Sequence, residues 1–138
     1  LRSVADRGID LPGVNIETKA WSASDEASDL RGFDIGIMPL EDSLWNRGKG
    51  GYKLLQYMAA GLPAVASPVG INADIVHAGE NGFLARNEGE WHHALLALAG
   101  DARLRRRIGQ AARATIEEGY SLDGYVERYG MLIESCLK

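Results

Sequence analysis

Residues 51–70 read GYKLLQYMAAGLPAVASPVG, and within them one helix ends and one strand begins. From Tyr52, the residues Leu54, Leu55, Met58 and Ala59 recur at helical spacing, and Gly61 followed by Leu62-Pro63 supplies the stop. Ala64 to Ser67 is then a short strand. Upstream, Asp34 to Leu40 (DIGIMPL) is an apolar run with β-branched members, closed by Pro39, and reads as a buried strand. Glu41 to Gly51 is a polar, glycine-bearing loop. Downstream, Asn72 caps a brief helix through His77, and Glu80-Asn81-Gly82 turns into a last strand, Phe83 to Ala85.

Further out, Val14, Ile16 and Thr18 alternate with polar neighbours, which predicts a half-buried strand over Val14 to Ala20. Ser22 and Asp25 form an S-x-x-D capping pattern for a helix through Leu30. Leu1 to Pro12 reads as the tail of a helix followed by a loop. After the last strand the period is helical only. Trp91, Leu95 and Leu98 share one face, and Leu104, Ile108 and Ala112 share another, with Asp101 as N-cap. A final helix starts at Tyr120-Ser121 and turns Tyr125, Tyr129, Leu132, Ile133 and Cys136 inward.

Alternating strands and helices over residues 14–99 imply an α/β fold, a parallel sheet with helices on its faces and a helical C-terminus. Residues 1–138 read as one domain, of which 88–138 are the helical part. Four short strands make a small parallel sheet, so a first βα unit is expected to be missing and the chain to be part of a larger fold. The sheet edge left by that unit would favour a dimer.

The 138 residues suit one domain, with 46% apolar and 25% charged residues, an ordinary globular balance. No apolar stretch can span a bilayer, and no signal peptide opens the chain. Fifteen Lys and Arg against nineteen Asp and Glu give a net charge of -4, which argues against nucleic acid as partner. One cysteine, Cys136, excludes an internal disulfide and a cysteine-cluster metal site, and fits a reducing cytoplasm. The 17 glycines, about 12% against a usual 7%, lie at segment ends, as in α/β proteins that bind ligands through loops.

The richest stretch chemically is Arg47-Gly48-Lys49-Gly50-Gly51-Tyr52-Lys53, where a loop opens a helix. Its glycines let the backbone approach a ligand, and the helix N-terminus adds positive potential to three cations. It suits a phosphate or pyrophosphate; a flexible solvated turn is the other reading. It is neither a Walker A loop nor G-x-G-x-x-G. Gln56 shares a face with Lys53 and could bind ribose hydroxyls or simply lie on the surface. Gly70 allows either close ligand approach or a tight turn, and Trp45 is either a ligand stacker or, on balance, a loop plug. His77, His92 and His93 form no metal site. Arg103, Arg105, Arg106 and Arg107 make a solvated helix face, the alternative being an acidic or membrane-surface partner.

The runs FDIGIMPL, GYKLLQYMAAGLPAVASPVG and GENGFLA resemble the C-terminal domain of GT-B glycosyltransferases, in particular the large retaining group 1 family (family 4), over roughly Asn15 to Leu137. The resemblance implies a Rossmann-like domain that binds a nucleotide-diphosphate sugar, with no metal or other cofactor, and an acceptor glycan, lipid or small molecule held by a separate N-terminal domain. It implies a cytoplasmic enzyme, peripheral to the membrane or free of it. Arg47, Gly48, Lys49, Gly50, Gly51, Tyr52 and Gln56 would bind donor, and Lys53 would be catalytic, offsetting charge on the leaving diphosphate. The family's two donor-bordering Glu residues fall at Gly48 and Gln56, so both carboxylates are absent. Gln56 keeps the capacity to hold ribose, and either Glu41 or Asp42 would reach in to the sugar from the preceding loop, or Lys49 would act differently. The family's diphosphate Arg and Lys would precede Leu1, so the chain alone is expected to bind weakly and transfer nothing. A sugar-nucleotide epimerase on the same scaffold and a non-catalytic docking domain are the rival readings.

Overall fold

The computed structural model describes residues 2–4 and 12–137. They fall into two compact units, one ending at Phe33 and the other beginning at Asp34. In the first, β1 (Arg2–Val4) pairs in parallel with β2 (Glu17–Lys19), Ser3 opposite Thr18. The opening is therefore strand, where a helix tail was expected over Leu1 to Pro12; residues 5–11 lie outside the described part. All three β2 residues are exposed, so the alternation at Val14 to Ala20 marks a strand but not a half-buried one. Helix α1 (Glu26–Arg31) starts at Glu26, and Asp25 stands at its N-cap without a side-chain cap bond. Asp25 and Asp29 instead take the Lys19 ammonium at 3.1 and 2.9 Å, which holds the Asp25 carboxyl below its ordinary pKa. The helix thus begins beyond the Ser22 start that the S-x-x-D pattern predicted, with Asp25 itself at the N-cap.

The second unit carries β3 (Gly36–Met38), β4 (Ala64–Ala66) and β5 (Phe83–Leu84), ordered β3-β4-β5 and all parallel. Ile37 lies opposite Val65, and Val65 opposite Phe83. The strands that were expected to form one sheet are thus divided, β2 pairing with β1. The helices are α2 (Leu44–Arg47), α3 (Tyr52–Ala59), α4 (Asn72–Ile75), α5 (Glu88–Gly100), α6 (Ala102–Gly119) and α7 (Leu122–Cys136).

Strand β4 is buried on both faces, as a central parallel strand should be. Its period of two sends Ala64 and Ala66 into a cluster with Leu54, Met58, Ile75, Val76 and Ala112. Val65 points the other way, to Ala85, Ala94 and Leu98, with Trp91, Leu95 and Leu104 packed around them. The helical faces read from residues 91–112 are therefore core faces.

Side-chain caps mark the starts of α5 and α6. Asp101 accepts from the amides of Arg103 and Leu104 at 2.8 and 3.0 Å, as predicted. Asn87 and Glu90 form a reciprocal pair: Asn87 Oδ1 accepts from the Glu90 amide at 3.0 Å, and Asn87 Nδ2 donates to Glu90 Oε1 at 3.1 Å, while Glu90 Oε2 accepts from the Arg86 amide at 2.8 Å.

Asn72 does not cap α4. Its carboxamide is buried and donates to the Ser67 carbonyl at 3.1 Å, while Ile71 takes the N-cap position. The helix ends at Ile75, short of His77.

The arginine face is only partly solvated. Arg105 donates to the carbonyls of Leu98 and Ala99 at 2.7 and 3.1 Å, closing the end of α5, and Arg107 donates to Gly79 at 3.3 Å. Arg103 and Arg106 are exposed. The largest departure is α7, which has no buried residue. Tyr125, Tyr129, Leu132, Ile133 and Cys136, expected to face inward, are all exposed. Their helical period is right, but no described element covers the face.

Candidate functional site

The C-terminal ends of β3 and β4 are tied together through one hydroxyl-bearing residue. The Ser67 amide donates to the Met38 carbonyl at 3.1 Å, and its hydroxyl accepts from the Leu40 amide at 2.9 Å. Beside this tie, a cavity of about 420 Å³ is lined by Ile37, Met38, Pro39 and Leu40 from the β3 end. Its other wall is Lys49, Gly50, Gly51, Tyr52, Lys53 and Tyr57, the entrance and first turn of α3. Ligands of parallel α/β sheets bind at this carboxyl end of the strands.

Gly51 is the N-cap of α3 and sits in the left-handed region at φ +66°. A Cβ there would lie 3.0 to 3.3 Å from Ile71, Ile75 and Asn72, so both conformation and space call for glycine. Having no side chain, Gly51 gives the helix no side-chain cap, and the amides of the first turn are left to other acceptors. Gly50 has open space around it. Tyr52 is mostly exposed, and Tyr57 is half-buried against the backbone of Gly36, where a Cβ would stand 2.8 Å from Tyr57 Cβ. Burial pushes the Tyr57 phenol above its ordinary pKa, and the nearby Lys53 charge partly opposes that.

Of the eight residues assigned to the site, the structure brings Lys49, Gly50, Gly51, Tyr52 and Lys53 to one cavity. The other three stand apart from its lining. Arg47 is held by Asp42 in a two-pronged ion pair, Nε to Oδ1 at 2.6 Å and Nη2 to Oδ2 at 2.9 Å, which keeps the Asp42 carboxyl below its ordinary range. Gly48 terminates α2. Gln56 is turned so that its Oε1 is closed to solvent and has no hydrogen-bond partner.

The loop 41–51, expected to be irregular, contains α2. The Ser43 hydroxyl caps it, accepting from the Asn46 amide at 3.3 Å. An S-x-x-N start was the available signal. Trp45 is 82% exposed and so is not a loop plug. Neither Glu41 nor Asp42 lines the cavity where a sugar contact was sought for them. Gly70, at φ +57°, packs against Arg47: a Cβ would meet the Arg47 carbonyl oxygen at 2.6 Å. The close approach that Gly70 permits is thus to another loop of the chain. His77, His92 and His93 are exposed. Among the described residues no cluster of His, Cys, Asp or Glu could hold a metal, and no helix is long and apolar enough to cross a membrane.

The sequence profile of the family "Glycosyl transferases group 1" matches residues 7–101. None of the curated proteins matches the chain in sequence. Among solved structures, the C-terminal domain of the group 1 family protein LpcC from Francisella tularensis superposes with a TM-score of 0.64 at 25% identity, over 78% of this chain and 54% of that one. Sucrose-phosphate synthase from Thermosynechococcus elongatus gives 0.72 at 16% identity, over 88% of this chain and 30% of that one. HepE of Anabaena, in complex with UDP and glucose, gives 0.70 at 18% identity, over 87% and 32%. The chain thus spans about half of the first and about a third of the other two. The last two likenesses, at low identity, show the fold: a parallel α/β arrangement of the GT-B C-terminal type. With the profile match covering more than half of its length, the chain belongs to the group 1 glycosyl transferases.

Proposed function

We propose that the chain is the donor-binding part of an enzyme that moves a sugar from a nucleotide diphosphate to an acceptor hydroxyl with retention. The observation that carries this is the meeting of Lys49, Gly50, Gly51 and Lys53 at one cavity beside the β3 end. An uncapped helix entrance and two ammonium groups suit a diphosphate. Support for the nucleotide comes from HepE, whose solved structure holds UDP and glucose.

In this reading the bond between the sugar's anomeric carbon and the diphosphate oxygen breaks, and the acceptor oxygen bonds to that carbon on the same face. The acceptor proton passes to the released diphosphate. Lys53, with Lys49, offsets the charge that grows on the leaving oxygen, and the α3 amides hold it. Gln56 serves the ribose by a rotation that offers its unpartnered Oε1 to a ribose hydroxyl. The acceptor is brought by a separate domain.

Calorimetry of the full-length protein with UDP-glucose, GDP-mannose and ADP-glucose tests the reading. One of them should bind, and Lys49→Ala with Lys53→Ala should abolish that binding. Failure of all three to bind would sink it.

A further inference from the structure

Arg47 is gripped from two sides. Asp42 holds its guanidinium with two hydrogen bonds at 2.6 and 2.9 Å, and Gly70 presses against its carbonyl with no room for a Cβ. Around it the loop closes on itself. Asn46 Nδ2 donates to the Glu41 carbonyl at 2.9 Å, the Arg47 amide to the Ser43 carbonyl at 2.9 Å, and the Lys49 amide to the Asn46 carbonyl at 3.2 Å. Two residues after Arg47 the cavity lining begins, with Lys49 and Gly50. A Cβ on Gly50 would meet nothing within 4 Å, so no side chain braces this turn from Gly50 itself, and its direction follows from the residues before it.

Both side chains of the pair are 58% exposed. An exposed pair adds little to global stability, and neither member lines the cavity. We infer that Asp42 is a positioning residue for the donor: by pinning Arg47 it fixes the turn that delivers Lys49 and the Gly50 backbone to the diphosphate. This rests on the donor-site reading above and deepens it, since it gives an acidic residue a favourable part in binding an anion.

The sign of one substitution separates this role from its competitor. If Arg47 were itself a ligand of the diphosphate, Asp42→Asn would remove a repelling charge and free the guanidinium, and donor would bind more tightly. A positioning role has the opposite consequence. In the full-length enzyme, Asp42→Asn should weaken the nucleotide sugar that the wild type binds by about tenfold, within the range that small misplacements of catalytic groups cost. The melting temperature should stay unchanged. The Lys49 amide should exchange its hydrogen faster, and the reversed pair Asp42→Arg with Arg47→Asp should recover part of the affinity. Equal or tighter donor binding by Asp42→Asn overturns the positioning role while leaving the donor site standing, and so does an unchanged exchange rate at Lys49. A wild type that binds none of UDP-glucose, GDP-mannose and ADP-glucose removes the donor site and this inference with it.

Discussion

Gly109, in the middle of α6, lies against the carbonyl of Gly61 with no space for a side chain between them. Gly61 itself follows α3 in the left-handed conformation at φ +73°, so the crossing of α6 over the end of α3 is built on two glycines. Alanine in a helix interior is normally about 1 kcal/mol better than glycine. Here the neighbouring atom is backbone and cannot swing away. Gly109→Ala is therefore expected to lower stability by about 2 kcal/mol, the usual scale of overpacking. Urea denaturation would show it, and a more stable variant would contradict the packing.

Asn81 is buried at 2% exposure and spends its whole carboxamide. Nδ2 donates to the Ile75 carbonyl and to Thr115 Oγ1, both at 3.0 Å, and Oδ1 accepts from the His77 amide at 2.7 Å. Asn81→Ala should cost about 3 kcal/mol because it strands backbone groups of the α4 exit. Thr115→Val removes only one of these bonds and should cost about 1 kcal/mol. Equal losses for the two variants would mean that the tie to α6, and not the turn, carries the energy.

In the function proposed above, Lys53 is the cation that offsets charge on the leaving diphosphate. Lys53→Ala in the full-length enzyme should slow transfer roughly 100-fold, equivalent to about 2.7 kcal/mol of transition-state stabilisation. The loss should fall mainly on kcat, because the charge grows as the bond breaks. Unchanged kinetics would remove the role.

The Tyr57 phenol, raised by burial above its ordinary value of 10.0, gives a pH signature. Its neutral form is the one the fold favours. The stabilisation is complete below the ordinary value and is lost as pH rises through the folded-state value. Absorbance titration of wild type minus Tyr57→Phe should show one phenol ionising later than free tyrosine. Lys53→Met should delay it further by removing the opposing charge. An earlier ionisation in that variant would refute the electrostatic contact.

What the sequence carried most clearly was local. The apolar runs at Asp34–Leu40 and Ala64–Ser67 contain β3 and β4, and the helix between them begins at Tyr52 as its spacing demanded. Lys49, Gly50, Gly51 and Lys53 do gather at one cavity because a helix start and a strand end meet there. Side-chain partnerships were not legible. Nothing in the order Asp42 to Arg47 announces that the arginine turns back to the aspartate, nor that Arg105 closes the helix before its own. Asn72 has the composition of a cap, and the nearby Ser67 carbonyl claimed its side chain instead; Asp25 pairs with Lys19, six residues before it. Periodicity along α7 located its apolar face, but burial of a face needs a neighbour, which a helical period does not name.

That uncovered face has an energetic consequence for α7. A fifteen-residue helix is marginal when it stands on its own hydrogen bonds, and its anchors are the Ser121 cap, with the Gly124 amide at 3.3 Å, and the grip of Arg128 on the carbonyls of Gly119 and Gly124. Amides of α6, pinned by Ile108 and Ala112 in the interior, should therefore outlast those of α7 in deuterium by orders of magnitude.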